Sequence, residues 1–269
     1  MPRLVGVFGG TFDPVHYGHS NTIAELLNLI PFEKILVIPN ALPPHRENSQ
    51  ASFSHRYKMT SLAFRDIEKT VVDNRENLRN GPSHAIETAK QIIAEEERAK
   101  VIFIVGSDSF GSIHSWHKWR ELINLVDFII MKRPDTSLSK NKKVQDLISD
   151  TRFNAGLLAD SKDKSIFELE VTPLRISSSL IRKNIAKDKS IDDLINPLVK
   201  DYLKKHGLYG SKKVLEDLKA KNIKPLGLEG EGSEEWVLID VGDVVLHLMS
   251  ANARAFYDLE SLWDPELSR

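Results

Sequence analysis

Through residue 210, short apolar runs alternate with longer stretches in which apolar positions recur every three or four residues. Residues 3–8, 34–39, 70–73, 101–105, 127–131 and 167–171 read as strands. The run 101–105 is apolar throughout, as expected of a strand covered on both faces of a parallel sheet. Between strands, a helix pattern over about residues 19–29 sets Ile23, Leu26 and Leu27, with Ile30 just beyond, at helical spacing. Ser54 is the expected N-cap of a helix through Arg65, and Ser83 of a helix from His84 to about Arg98. Residues 40–53 read as a loop, because Pro43-Pro44 bars regular structure. Residues 177–186 and 191–206 read as closing helices. This alternation predicts an α/β fold, a Rossmann-like doubly wound parallel sheet.

After Gly210 the rhythm changes. A helix over 212–221 places Val214, Leu215 and Leu218 on one face, and 224–230 reads as a strand. Residues 236–241 and 244–249 flank Gly242-Asp243 as a hairpin, and a short helix over 253–263 follows. The chain thus divides into a 1–210 domain and a small α+β segment, 211–269. Charge supports the division. Residues 1–210 carry 30 Lys/Arg against 26 Asp/Glu, a net of +4, whereas 211–269 carry 7 against 12, a net of -5. A core of 59 residues is marginal alone. Trp236, Leu238, Val245, Leu246 and Trp263 are therefore expected to bury against the first domain or a second copy of the chain, a homo-oligomer.

Over all 269 residues Lys+Arg is 37 and Asp+Glu 38, a net of -1, so no basic footprint for direct nucleic-acid binding appears. Cysteine is absent, which excludes disulfides, Cys-based zinc sites and thiol catalysis. The apolar run after Met1-Pro2-Arg3 is too short for a signal peptide or a membrane span, so the cytoplasm is the expected compartment.

The densest chemistry is Gly9-Gly10-Thr11-Phe12-Asp13-Pro14-Val15-His16-Tyr17-Gly18-His19, between the first strand and the first helix. Glycines let the backbone approach a phosphate, and the N–H groups of a helix start favour anions. His16 and His19, three residues apart, can face one anion. A second helix start, Ile176-Ser177-Ser178-Ser179-Leu180-Ile181-Arg182, offers hydroxyls, N–H groups and a guanidinium fork one turn later. Taken alone, it also fits an ordinary Ser-capped helix. Gly106 and Asp108 follow the strand 101–105, where open α/β sheets bind nucleotides.

His16-Tyr17-Gly18-His19 resembles the His-x-Gly-His signature of the nucleotidylyltransferase superfamily. Further strings narrow the likeness, over residues 1–210, to the bacterial nicotinate-mononucleotide adenylyltransferases. They are Ile38-Pro39-Asn40, Pro43-Pro44-His45-Arg46, Gly81-Pro82-Ser83, Gly106-Ser107-Asp108, Ser115-Trp116-His117, Lys132-Arg133-Pro134, the Ser-Ser-Ser-x-x-Arg run and His206-Gly207-Leu208-Tyr209. The resemblance implies adenylyl transfer from ATP to nicotinate mononucleotide, giving deamido-NAD and pyrophosphate, with Mg²⁺ carried by ATP and no protein metal ligands. It implies catalytic roles for His16, His19 and Arg182. It implies ATP binding by Gly9, Gly10, Thr11, Phe12, His16, His19, Gly106, Asp108, Ile176, Ser177, Ser178, Ser179 and Arg182. The mononucleotide falls to Asn40, His45, Arg46, Ser83, His84, Ala85, Trp116, His117 and Arg133. Four positions depart from the family pattern: His84-Ala85 stands for its usual Tyr-Thr, Glu87 for an Asp, and His117 for a Tyr.

Residues 211–269 resemble the C-terminal half of the ribosomal silencing factors, which implies a large-subunit ribosomal protein as partner and a remnant of a ribosome-binding factor joined to an enzyme. The preceding half of that domain is missing. Alternative readings are a sister enzyme using nicotinamide mononucleotide or another phosphate acceptor, and a ribosome-binding translation regulator. A class I aminoacyl-tRNA synthetase would need a Lys-Met-Ser-Lys-Ser string, which is absent, and no Gly-x-x-x-x-Gly-Lys-Ser/Thr supports a P-loop kinase.

Overall fold

The computed structural model describes residues 3–42, 49–79, 81–132, 142–148, 164–172, 174–230, 233, 235–249 and 251–259. Six strands, β1 (Arg3–Gly10), β2 (Lys34–Pro39), β3 (Thr70–Val72), β4 (Ala99–Gly106), β5 (Asp127–Lys132) and β6 (Ile166–Glu170), form one parallel sheet in the order β3-β2-β1-β4-β5-β6. The helices are α1 (Tyr17–Leu29), α2 (Phe53–Ala63), α3 (Arg75–Leu78), α4 (Ala85–Glu95), α5 (Ser107–Gly111), α6 (Trp119–Leu125), α7 (Lys142–Ile148), α8 (Ser178–Ala186), α9 (Pro197–Lys205), α10 (Gly210–Ala220) and α11 (Ala251–Tyr257).

Successive strand side chains point to opposite faces, and both faces are covered. Phe8, Ile35, Val37, Ile102, Ile104 and Ile129 pack with Ile23 and Leu26 of α1, Met59 of α2, Ile181 of α8 and Val199 of α9. Val5, Val7, Leu36, Ile38, Phe103 and Phe128 pack with Ile86 and Ile92 of α4, Phe110 of α5 and Leu122 of α6. No helix among the described residues is long and apolar enough to cross a membrane.

Helix starts differ from expectation where serines crowd. Ser52, not Ser54, caps α2 by accepting from the His55 N–H, and Ser54 instead shares a hydroxyl contact with Ser52. His84 occupies the N-cap of α4, while Ser83 Oγ accepts from the N–H groups of Ala41 and Leu42, both at 3.0 Å. The last helix of the domain starts late. Asn196 accepts from the Leu198 N–H and Pro197 fixes the first helical φ, leaving 191–195 as a turn.

The C-terminal strands β7 (Gly227–Glu229), β8 (Trp236–Asp240) and β9 (Val245–Met249) form an antiparallel sheet in chain order. The expected core face is inverted. Val237 and Ile239 are the buried residues of β8, whereas Trp236 and Leu238 are half-buried and Val245 is 45% exposed. Trp236 sits on the more open face because its indole N–H donates to His247 Nδ1 at 3.1 Å. Trp263 lies outside the described residues. The helix that precedes this sheet, α10, packs against α8.

Candidate active site

The strand order reverses between β1 and β4, and open α/β sheets leave a crevice at the carboxyl ends of such neighbours. Gly9 and Gly10 end β1, Asn40 follows β2, Gly106 ends β4, and Asp108 lies exposed in the first turn of α5. The Asn40 N–H donates to the Gly10 carbonyl at 2.9 Å, closing the β1–β2 side of the crevice.

His16 occupies the N-cap of α1, and the His16 and His19 rings stack at 3.7 Å between centroids. The His16 N–H donates to His19 Nδ1 at 3.2 Å. With Nδ1 accepting, the neutral His19 ring carries its proton on Nε2, so that atom is its donor. Phe12, in the left-handed region at φ 50°, buries its side chain edge-on to His19 at 5.0 Å. The ring is thus taken up in packing against His19, and the backbone is the part of Phe12 that a ligand could meet.

Gly18 lies against the other histidine. A Cβ there would come within 2.9 Å of His16 Nδ1. His16 is buried and stacked on His19, so its ring has little room to yield. Gly18→Ala is expected to lower kcat about tenfold with the fold intact, since sub-ångström displacement of a reacting group is costly. Steady-state rates together with a melting curve check this, and unchanged kcat refutes it.

The second helix start meets the same turn. Ser177 caps α8 by accepting from the Leu180 N–H at 3.1 Å, and Ser178 Oγ donates to the Pro14 carbonyl at 2.8 Å. Ile176 is buried, which leaves its backbone as the group available to a ligand. Arg182 donates from Nη1 to the Asp13 carbonyl and from Nη2 to Ser179 Oγ at 3.3 Å. Two helix starts and one arginine thus converge on residues 13–19.

Three framework residues were not read from the sequence. Asp13 is buried and collects bonds from four places, as the Ala51 N–H and the Tyr209 hydroxyl donate to Oδ1 at 3.2 and 2.7 Å, the Gln50 N–H donates to Oδ2 at 2.9 Å, and Arg182 Nη1 lies 3.7 Å from Oδ2. Arg56, fully buried on α2, donates to the carbonyls of Thr11 at 2.7 Å and Ala51 at 3.0 Å. The signal for Asp13 was its place inside the eleven-residue string. For Tyr209 it was the string that ends the resemblance.

On the far side, the His84 and His117 rings stack at 4.3 Å, bringing together two of the departures from the family pattern. Ala85 is the first residue of α4, where an N–H has no partner within its own helix. Trp116 is half-buried against the α4–α6 face of the core. Ser83 Oγ accepts from the 40–42 turn, as above, so it joins that turn to the start of α4. His45, Arg46 and Arg133 lie outside the described residues.

The sequence model of the cytidylyltransferase-like family matches residues 7–184, and that of the ribosomal silencing factor during starvation matches residues 204–268. A probable nicotinate-nucleotide adenylyltransferase of Pectobacterium atrosepticum is 34% identical over 212 residues, spanning 78% of this chain and 100% of that protein. One from Pseudomonas aeruginosa is 31% identical, spanning 78% and 98%. A solved Plasmodium falciparum nicotinic acid mononucleotide adenylyltransferase, complexed with NaAD, shares the fold at a TM-score of 0.61 and 22% identity, covering 77% of this chain and 98% of that one.

Proposed function

The chain belongs to the cytidylyltransferase-like family, among the nicotinate-nucleotide adenylyltransferases, and from that premise we propose that it joins ATP to nicotinate mononucleotide. The products are deamido-NAD and pyrophosphate. One observation carries the reading: the starts of α1 and α8 meet on a single turn, tied by Ser178 to Pro14. Two sets of anion donors then face one crevice, as a reaction between two polyanions requires.

No protein nucleophile is needed. An oxygen of the mononucleotide phosphate forms a bond to the α-phosphorus of ATP, the bond from that phosphorus to its bridging oxygen breaks, and pyrophosphate leaves with the electron pair. His19, through Nε2–H, and His16 donate to α- and β-phosphate oxygens. Ser177, Ser178, Ser179 and Arg182 receive the departing pyrophosphate, with Gly9, Gly10 and Thr11 giving close backbone approach. Gly106 and Asp108 take the nucleoside part of ATP. Asn40, His45 and Arg46 approach the mononucleotide. The side chains around the turn are imidazoles, hydroxyls and a guanidinium, and the Asp13 carboxylate is already engaged. Such a set fits a Mg²⁺ ion held by ATP's own phosphate oxygens and water, where it neutralises phosphate charge.

Trp116 stacks on the pyridine ring, and the amides near Ala85 and His117, with Arg133, donate to its carboxylate. An amide would turn an NH₂ toward those donors. Nicotinate mononucleotide is therefore expected to exceed nicotinamide mononucleotide in kcat/KM by about 10- to 100-fold. Pyrophosphate release with each acceptor tests this. Equal values favour a sister enzyme of broader acceptor range, and no release from either overturns the reaction.

The match over residues 204–268 supports a second reading, confined to the C-terminal segment, as the remnant of a factor that binds a large-subunit ribosomal protein. A chain ending at Gly210 is expected to keep adenylyl transfer within about twofold and to melt lower, because α10 no longer covers α8. It should also lose any co-sedimentation with large ribosomal subunits that the full chain shows. Loss of catalysis in a folded truncation would place part of the active site beyond Gly210.

A further inference from the structure

Read as a ligand of the ATP phosphates, the Arg182 guanidinium has two acceptors to divide its donors between. One is the phosphate chain of ATP, and the other is Asp13, whose carbonyl already holds Nη1 and whose Oδ2 lies 3.7 Å from it. How strongly Asp13 competes depends on how well its carboxylate is otherwise satisfied, since a buried carboxylate short of donors draws the nearest cation. Oδ2 accepts from the Gln50 N–H at 2.9 Å, and Oδ1 accepts from the Ala51 N–H at 3.2 Å. The shortest bond comes from the Tyr209 hydroxyl, at 2.7 Å to Oδ1. Asp13 and Tyr209 are each 6% exposed, so water is poorly placed to substitute for that donor. Burial and the neighbouring Asp13 charge push the Tyr209 phenol well above its usual range, so it stays a neutral donor.

We propose that Tyr209 is a positioning residue for adenylyl transfer, quenching the Asp13 carboxylate so that Arg182 is released to the phosphates of ATP. The proposal rests on the reading of Arg182 as a phosphate ligand. It also places a functional boundary. Tyr209 lies within the 204–268 match to the silencing factor and is the N-cap of α10, yet its hydroxyl serves the turn at residue 13.

The test uses Tyr209→Phe in the full chain, which keeps the ring and its packing and removes only the donor. Binding of a non-hydrolysable ATP analogue is expected to weaken about tenfold, the scale of one charge-assisted hydrogen bond, with kcat/KM for ATP falling in step. The same substitution in an Asp13→Asn background is expected to change analogue binding less than about twofold, because the competitor for Arg182 has lost its charge. Tyr202→Phe is the control. It removes another phenol hydroxyl, one within 2.7 Å of His55 Nδ1, and should lower the melting temperature without affecting the analogue. Unchanged analogue binding in Tyr209→Phe, or an equal loss in both backgrounds, overturns the proposal. Analogue binding needs no acceptor, so an inactive wild-type chain would count against the reaction and leave this test standing.

Discussion

Replacing His19 with Ala is expected to lower kcat by about 10²–10³-fold, the usual cost of losing one donor aimed at developing transition-state charge. KM for ATP and for the mononucleotide should change little by comparison. The His16 N–H holds Nδ1 and the Phe12 ring packs edge-on, so the imidazole is fixed before substrate arrives, with its proton on Nε2. A donor fixed in advance needs no reorganisation as charge moves onto the leaving oxygen. His19→Asn also retains a donor, on a shorter arm, and should recover part of the rate. Quench-flow rates with a circular-dichroism check of folding measure this. Near-wild-type turnover in folded His19→Ala would remove His19 from the transfer step.

Arg56→Ala is expected to destabilise the chain by roughly 3–5 kcal/mol. The side chain is 1% exposed, and its guanidinium lies 5.6 Å from the centre of the Phe53 ring. Truncation opens a cavity and strips donors from the buried carbonyl of Ala51 and the partly buried one of Thr11. In a domain of this size the melting temperature should fall on the order of 10 °C. Arg56→Lys should recover only part, because an ammonium cannot span two carbonyls as a planar fork does. Thermal and urea melts decide, and a loss below about 1 kcal/mol would show that the cavity collapses and the carbonyls find other donors.

The six parallel strands were legible to within two residues at each end; β2, β4 and β5 show unbroken apolar runs because both their faces are buried, whereas the edge strands β3 and β6 were read from short β-branched or alternating stretches. α3, α5 and α6 were not. At four, five and seven residues they are too short to show a helical period. Ser52 and Ser54 are chemically equivalent caps, and only the path of the preceding loop chooses between them. In the hairpin, apolar content pointed to Trp236 and Leu238, but alternation buries the other face, and the half-buried indole of Trp236 bonds His247 instead. The His16–His19 pairing followed from spacing at a helix start. The Asp13–Tyr209 bond did not, because an Asp in a turn reads as solvated and nothing local to residue 209 points toward residue 13.

Those two residues stand 196 positions apart, and on a ribosome that separation is a delay. Chains grow at roughly 5–20 residues per second, so Asp13 waits about 10–40 s for its tyrosine. During that interval the histidines and β2 to β6 are synthesised, but the Asp13 carboxylate lacks the shortest of its bonds. The loop after β1 is thus completed by a residue that follows every strand of the parallel sheet, and the 60 positions beyond it are translated only afterwards.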